Sequence, residues 1–239
     1  MQRREAVKLS SMPAMPVLLS VTAGYVDTAG YLALQGLFTA HVTGNFVTLG
    51  ASLVYGTSGT LSKLLALPTF CVVIFVTRWV GYDLRARGLP RLRTMLTLKV
   101  VLLATAAVLA IGFGPFSNSD SGPALATGLT LVAAMAIQNA AQRIHLGNSP
   151  PTTIMTGTTT QIMIDVADRM RNIPTDKKDA ARARLARMTA SVFAFASGCA
   201  AAALIYAKTG ILCFLVPPLL GVGTLVLQMA AFEGEGDAR

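Results

Sequence analysis

Few side chains in this chain could exchange a proton or bind a polar solute while lying inside apolar sequence. Asp27 is the sharpest. It sits within PVLLSVTAGYVDTAGYLAL (Pro16–Leu34), with Thr28 beside it and Gly24 and Gly30 three residues to either side. A carboxylate at bilayer depth costs ~2.5–3.5 kcal/mol on insertion scales, so it faces a cavity, a partner or a proton path. Asp27 is therefore the expected proton-coupling or gating group; the plain alternative is a protonated acid bonded to a carbonyl at a helix break. His41 follows in FTAHVTGNFVTLGASL (Phe38–Leu53). With an ordinary pKa of about 6.5, histidine suits a proton carrier or a substrate donor. A neutral ring donating to a carbonyl is the plain alternative here.

The second polar stretch, TTIMTGTTTQIMI (Thr152–Ile164), echoes the first. Laying Thr43-Gly44 on Thr156-Gly157, 113 positions later, puts Thr39 over Thr152, Val42 over Met155 and Asn45 over Thr158. Each copy reads as an extended entry followed by a helix, with Thr43 and Thr156 as N-cap residues. Two such helices starting at the membrane midplane would turn free N–H groups and positive dipole ends toward each other, which suits an anion or the acceptor oxygens of a polar solute. The expected substrate contacts are Thr39, His41, Thr43, Gly44, Asn45, Gln138, Asn139, Thr156, Gly157, Thr158 and Thr160. Gln142 and Arg143 would line the cytoplasmic mouth, Arg143 also serving to set topology. The rival reading makes the threonines glue between helices.

The elements that must position these residues are membrane helices. Hydrophobic residues make up 53% of the 239 and charged ones only 13%, against roughly 25% charge in soluble domains. Mean hydropathy is +0.59. The net charge of +9 is no nucleic-acid signal, because the basic residues at Arg3-Arg4, Arg85–Arg93 and Arg169–Arg187 fall between apolar runs in the positive-inside pattern. Cys71, Cys199 and Cys213 lie inside apolar runs without a CxxC pattern and read as core residues. There is no H-E-x-x-H, no P-loop and no G-x-S-x-G, so neither an enzyme, a metal site nor a cofactor is expected.

The fold expected is an all-α polytopic membrane protein with about six transmembrane helices in two inverted three-helix repeats, each carrying a polar re-entrant half-helix. The first repeat, 1–115, has spans at about 16–34, 64–82 and 94–114 and a half-helix at about 43–55. The second, 116–239, has spans at about 123–141, 188–206 and 211–231 and a half-helix at about 156–168. Ile144–Pro151 reads as extended, Pro217-Pro218 as a kink, Thr175 with Asp176 as a helix start, and Lys99 as lying about one turn inside the cytoplasmic end of its span. Re-entry keeps both termini and the basic loops cytoplasmic; an odd number of spans per half then inverts the second half relative to the first.

The runs A-G-Y-V-D-T-A-G-Y (Ala23–Tyr31), F-T-A-H-V-T-G-N (Phe38–Asn45), I-Q-N-A-A (Ile137–Ala141) and M-T-G-T-T-T-Q (Met155–Gln161) resemble the YoaK-like family, bacterial inner-membrane proteins classed as a domain of unknown function. The resemblance implies a multi-pass inner-membrane protein and supplies no reaction. By fold analogy alone, paired half-helices are similar to those of anion and nucleobase permeases. The functional expectation is a secondary transporter or facilitator of a small polar or anionic solute, coupled to protons through Asp27. A passive channel, or a scaffold or sensor without transport, is the alternative. The expected partners are the solute and the lipid bilayer, with a homodimer allowed by the small size and no nucleic acid.

Overall fold

The computed structural model of the chain describes residues 14–147, 149–171 and 178–233. Apart from the connections between them, those residues form helices, without a strand. The long helices are α1 (Ala14–Ala33), α3 (Thr60–Ala86), α4 (Arg91–Phe113), α5 (Gly122–His145), α7 (Lys178–Thr209) and α8 (Val216–Glu233). The two short ones are α2 (Asn45–Tyr55), preceded by a 3-10 turn at Val42–Gly44, and α6 (Met155–Met170). Four segments are long and apolar enough to cross a membrane: Thr60–Ala86, Arg91–Phe113, Gly122–His145 and Asp179–Ala230, the last containing both α7 and most of α8.

At 20 residues α1 has the length of a span, but Asp27 and the two pairs Gly24-Tyr25 and Gly30-Tyr31 dilute its hydropathy. It is instead a central helix, buried along most of its length from Met15 to Ala33. Its tightest neighbour is α7. A methyl group added at Gly198 would fall 2.2 Å from the Val21 carbonyl oxygen, and one at Gly24 would fall 2.1 Å from that of Phe195. Only residues without a Cβ let the two backbones approach this closely. Tyr25 Oη then donates to the Cys213 carbonyl at 2.9 Å, fixing α1 to the 3-10 turn Gly210–Leu215 between α7 and α8.

The packing partners exchange when the two halves of the chain are exchanged. α1 lies on α7 as α5 lies on α3; α4 lies on α5 as α8 lies on α1; α2 lies on α3 as α6 lies on α7; and α4 meets α8. The two short helices thus hold corresponding positions, each attached to one long helix.

Side chains from outside a helix fix several ends. α1 stops at Gln35 and Gly36, both at positive φ, with Gly36 N–H closing onto the Tyr31 carbonyl at 2.9 Å. Gln35 Nε2 donates to the Ser117 carbonyl at 2.7 Å. In the same 114–121 loop, Asp120 caps α3 from a distance, accepting from Gly59 N–H and Ser62 N–H at 3.0 Å each. Partial burial works to raise the Asp120 carboxyl, but the N–H groups of Ser62, Leu61, Gly59 and Thr60 outweigh it and hold the group below the usual carboxylate range. Buried Lys63 donates to Ser52 Oγ at 2.7 Å, fastening the end of α2 to α3.

Several expectations need correction. α5 continues through Gln142 and Arg143 to His145, so Ile144 and His145 are helical and the extended stretch starts later. A 3-10 turn ends at Leu215 and Pro217-Pro218 lie in the first turn of α8. They open that helix, where proline loses no hydrogen bond, and do not kink one. Of the cysteines, only Cys213 is buried; Cys199 is half-buried and Cys71 exposed. The basic N-terminus, Thr175 with Asp176 and the acidic tail lie outside the described residues.

Candidate functional site

The loop between α1 and α2 is built around Asp27. Its Oδ1 accepts three successive backbone N–H groups, from Thr39 at 2.8 Å, Ala40 at 2.7 Å and His41 at 3.3 Å. A run of amides converging in this way is an anion nest, here filled by the chain's own carboxylate. Asp27 Oδ2 takes the remaining contact, 2.7 Å from His41 Nδ1. Thr39, fully buried, donates its hydroxyl to the Val26 carbonyl at 3.3 Å. Asn45 closes the loop from its other end, accepting from Phe38 N–H at 2.9 Å and donating to the Phe38 carbonyl at 2.7 Å.

This geometry assigns distinct roles to the pair. Asp27, with 5% of its side chain accessible, is an acceptor on both oxygens, whereas the His41 side chain is 34% accessible. Because Nδ1 points at a carboxylate, it carries the proton in either charge state of the ring. Nε2 has no protein partner among the described residues and is the ring nitrogen left open to a further ligand. The His41 ring meets Phe195 of α7 edge-on, with centroids 5.2 Å apart. Around them is a cavity of about 620 Å³ lined by Asp27, Thr28, Tyr31, Phe38, His41, Thr43, Gly44, Phe195 and Cys199. The Tyr31 and Phe38 rings meet at a tilt of 48°, with centroids 4.9 Å apart, along one side.

The corresponding loop of the second half, before α6, is held with the opposite polarity. Gln142 Nε2 donates to the carbonyls of Ser149 at 3.2 Å and Pro150 at 3.3 Å. Proline at 150 and 151 offers no N–H, so this loop presents carbonyls and is met by an amide donor instead of a carboxylate. Asn139 Oδ1 accepts from Thr153 Oγ1 at 2.8 Å. Gln138 Nε2 donates to the Leu19 carbonyl at 2.9 Å and reaches Thr152 Oγ1 at 3.3 Å.

Of the residues singled out from sequence, Asp27, Thr39, His41, Thr43, Gly44 and Asn45 form one neighbourhood, although Thr39 and Asn45 support it without lining the cavity. Gln138, Asn139, Gln142 and Thr158 line neither this cavity nor the groove along α6, and each bonds within the protein, Thr158 Oγ1 back to the Ile154 carbonyl at 2.8 Å. Arg143 is exposed at the last turn of α5. Thr156 and Thr160 line a separate groove of about 740 Å³ along α6, which excludes Gly157 and shares no residue with the first cavity. The expectation of one site between two helix starts is therefore replaced by two separate concavities, since α2 packs on α3 and α6 on α7. Neither Thr43 nor Thr156 is an N-cap. Those positions fall to Gly44 and Ile154, without a side-chain bond. Sequence reasoning missed Phe195 and Cys199 as cavity walls; the signal was Gly198 between them, marking the face of α7 laid against α1.

Comparison with known proteins places this geometry in context. The model of a family described as a protein of unknown function (DUF1275) matches residues 15–227. The UPF0700 transmembrane protein YoaK of Bacillus subtilis (strain 168) is 31% identical over 156 residues, which cover 64% of this chain and 66% of that protein. The chain thus aligns with just under two thirds of its relative's length. No solved structure matches.

Proposed function

The chain belongs to the DUF1275 family, a family of unknown function with a transmembrane relative, and we propose that it is a transporter or facilitator of a small polar solute. The solute occupies the cavity beside His41, and the His41 ring exchanges a proton with it or with water. One observation carries this reading: Nδ1 of His41 is committed to Asp27 at 2.7 Å while the same ring lines a cavity of about 620 Å³. The aromatic walls suit a solute with a flat or apolar body and one polar group directed at Nε2. An anionic solute is less favoured than sequence suggested, because the run of converging amides beside this cavity, those of Thr39, Ala40 and His41, already holds Asp27.

Topology supports the reading. The exchange of packing partners between halves is what two related three-helix repeats would give. α2 has 11 residues and α6 has 16, roughly 16 and 24 Å at 1.5 Å per residue, both short of a ~30 Å hydrocarbon core. Re-entrant elements of this length, inversion of the second repeat and cytoplasmic termini in a bacterial inner membrane belong to the same proposal. The test is a ligand-stabilisation screen on purified protein at two pH values, using organic acids, inorganic anions, nucleobases, sugars and amino acids. A solute at 100 times its Kd raises stability by roughly 2.7 kcal/mol. The proposal expects a hit that is lost in Phe38→Ala and in His41→Gln; a hit retained in both places binding elsewhere and refutes it.

A further inference from the structure

Lys99 of α4 is fully buried, and its Nζ has no hydrogen-bond partner among the described residues. Two side-chain carbonyl oxygens share that condition: Gln138 Oε1 on α5, at 0% exposure, and Gln228 Oε1 on α8, at 4%. All three residues border one apolar cluster. It contains Met95 and Leu96, one turn before Lys99; Ile137 and Ala141 around Gln138; Leu225, one turn before Gln228; and Met15 and Leu19 of α1. A lysine on a helix points toward the helix N-terminus, so its amine descends to the level of Met95 and Leu96. Two contacts join the neighbouring helices around this cluster. The Leu19 carbonyl takes Gln138 Nε2, and Val100 lies against Gly221 of α8.

A buried amine without a partner is costly, and so is a buried carbonyl. Here an unfilled donor on α4 and unfilled acceptors on α5 and α8 belong to helices that share one apolar cluster, and none of the three bonds another directly. Groups so placed are the setting in which an enclosed water bridges donor to acceptor. A small anion fits the set poorly, because two carbonyl oxygens would face it. Gln138 cannot reverse its amide without losing its bond to the Leu19 carbonyl.

We propose that Lys99, Gln138 and Gln228 form an internal, water-bridged proton-binding site. A proton from bulk solvent, relayed by the enclosed water (which receives one proton as it gives one), adds to the lone pair of the Lys99 amine, and the ammonium returns it by the same relay, with the two glutamine carbonyls accepting from whichever form is present. The site lies apart from the His41 cavity and shares no residue with its lining, so it stands whether or not that cavity binds a solute. The charged groups on the surrounding helices are Lys63, Arg78, Asp83 and Arg85 on α3, Arg91 and Arg93 on α4, Arg143 and His145 on α5, and Asp27 on α1, which is already paired with His41; α8 carries none before Glu233.

The test is carbon-13 spectroscopy of protein labelled at lysine Cε, comparing wild type with Lys99→Met to assign the resonance; Lys99→Arg assigns it where the methionine variant does not fold. The expected result is a Lys99 resonance that moves reversibly with pH while the protein remains folded. Gln228→Leu should shift its midpoint by about one pH unit, a tenfold change in proton affinity. A resonance that stays fixed over the pH range in which the protein is folded overturns the proposal. So does one that follows chloride concentration at constant pH, or a midpoint indifferent to Gln228→Leu.

Discussion

Asp27→Asn separates the charge of the carboxylate from its shape. Asparagine can keep one oxygen toward the amides of Thr39, Ala40 and His41, but it presents an NH₂ group where Oδ2 now faces His41 Nδ1. Hydrogen bonds to a charged group contribute about 1.5–3 kcal/mol and neutral ones about 0.5–1.5. Four contacts change class, one of them already long at 3.3 Å. The expected loss is about 3 kcal/mol. For a chain of this size that corresponds to roughly 6–12 °C in melting temperature at about 2–4 °C per kcal/mol. There is also a chemical consequence. Nδ1 can no longer donate to its neighbour, so the neutral ring moves its proton to Nε2 and presents a donor to the cavity in place of an acceptor. Nitrogen-15 labelling of histidine reports this directly, because the chain has only two histidines and His145→Gln assigns the other. A variant that melts within a degree or two of wild type, with Nδ1 of His41 still protonated in the neutral ring, would refute the idea that Asp27 fixes the tautomer.

Three further outcomes follow from the packing. Gly198→Ala puts a methyl 2.2 Å from the Val21 carbonyl oxygen, forcing α1 and α7 apart and costing about 1–3 kcal/mol or more, read as a lower melting temperature. Asn45→Ala leaves both the N–H and the carbonyl of Phe38 without their partner, a loss of about 1–3 kcal/mol seen in melting and in faster amide exchange at Phe38. Folding holds the Asp120 carboxyl below its usual range, so its stabilising contribution is full above about pH 4 and fades as pH falls through the lower folded value. Asp120→Asn should flatten that acid limb in a pH series of melting curves, while a limb unchanged by the substitution would contradict the cap.

What could be read from sequence followed from how conspicuous a polar residue is in apolar surroundings. Asp27 and His41 stood out for that reason, and the echo between Thr39 and Thr152 found two threonines that are both buried at corresponding loops. The helix starts were misplaced because a capping signature is local, whereas α2 follows a 3-10 turn in which Gly44 N–H bonds the His41 carbonyl and Asn45 N–H the carbonyls of Val42 and Thr43, leaving the Thr43 hydroxyl no cap to make. α5 runs past Ala141 because the polar side chain of Gln142 finds backbone carbonyls to donate to, so its polarity did not end the helix. Phe195 and Cys199 lie more than 150 positions after Phe38 and His41 and carry no periodic mark of their own. The separation of the two concavities is likewise a property of packing, set by which long helix each short one lies on.

The most direct test of the central claim is uptake into proteoliposomes of the solute that stabilises the protein, with and without an inward proton gradient, in wild type and His41→Gln. Glutamine can still hydrogen-bond but carries no exchangeable charge. The account predicts accumulation driven by the gradient in wild type and only downhill equilibration in the variant. Equal gradient-driven accumulation in both would contradict it.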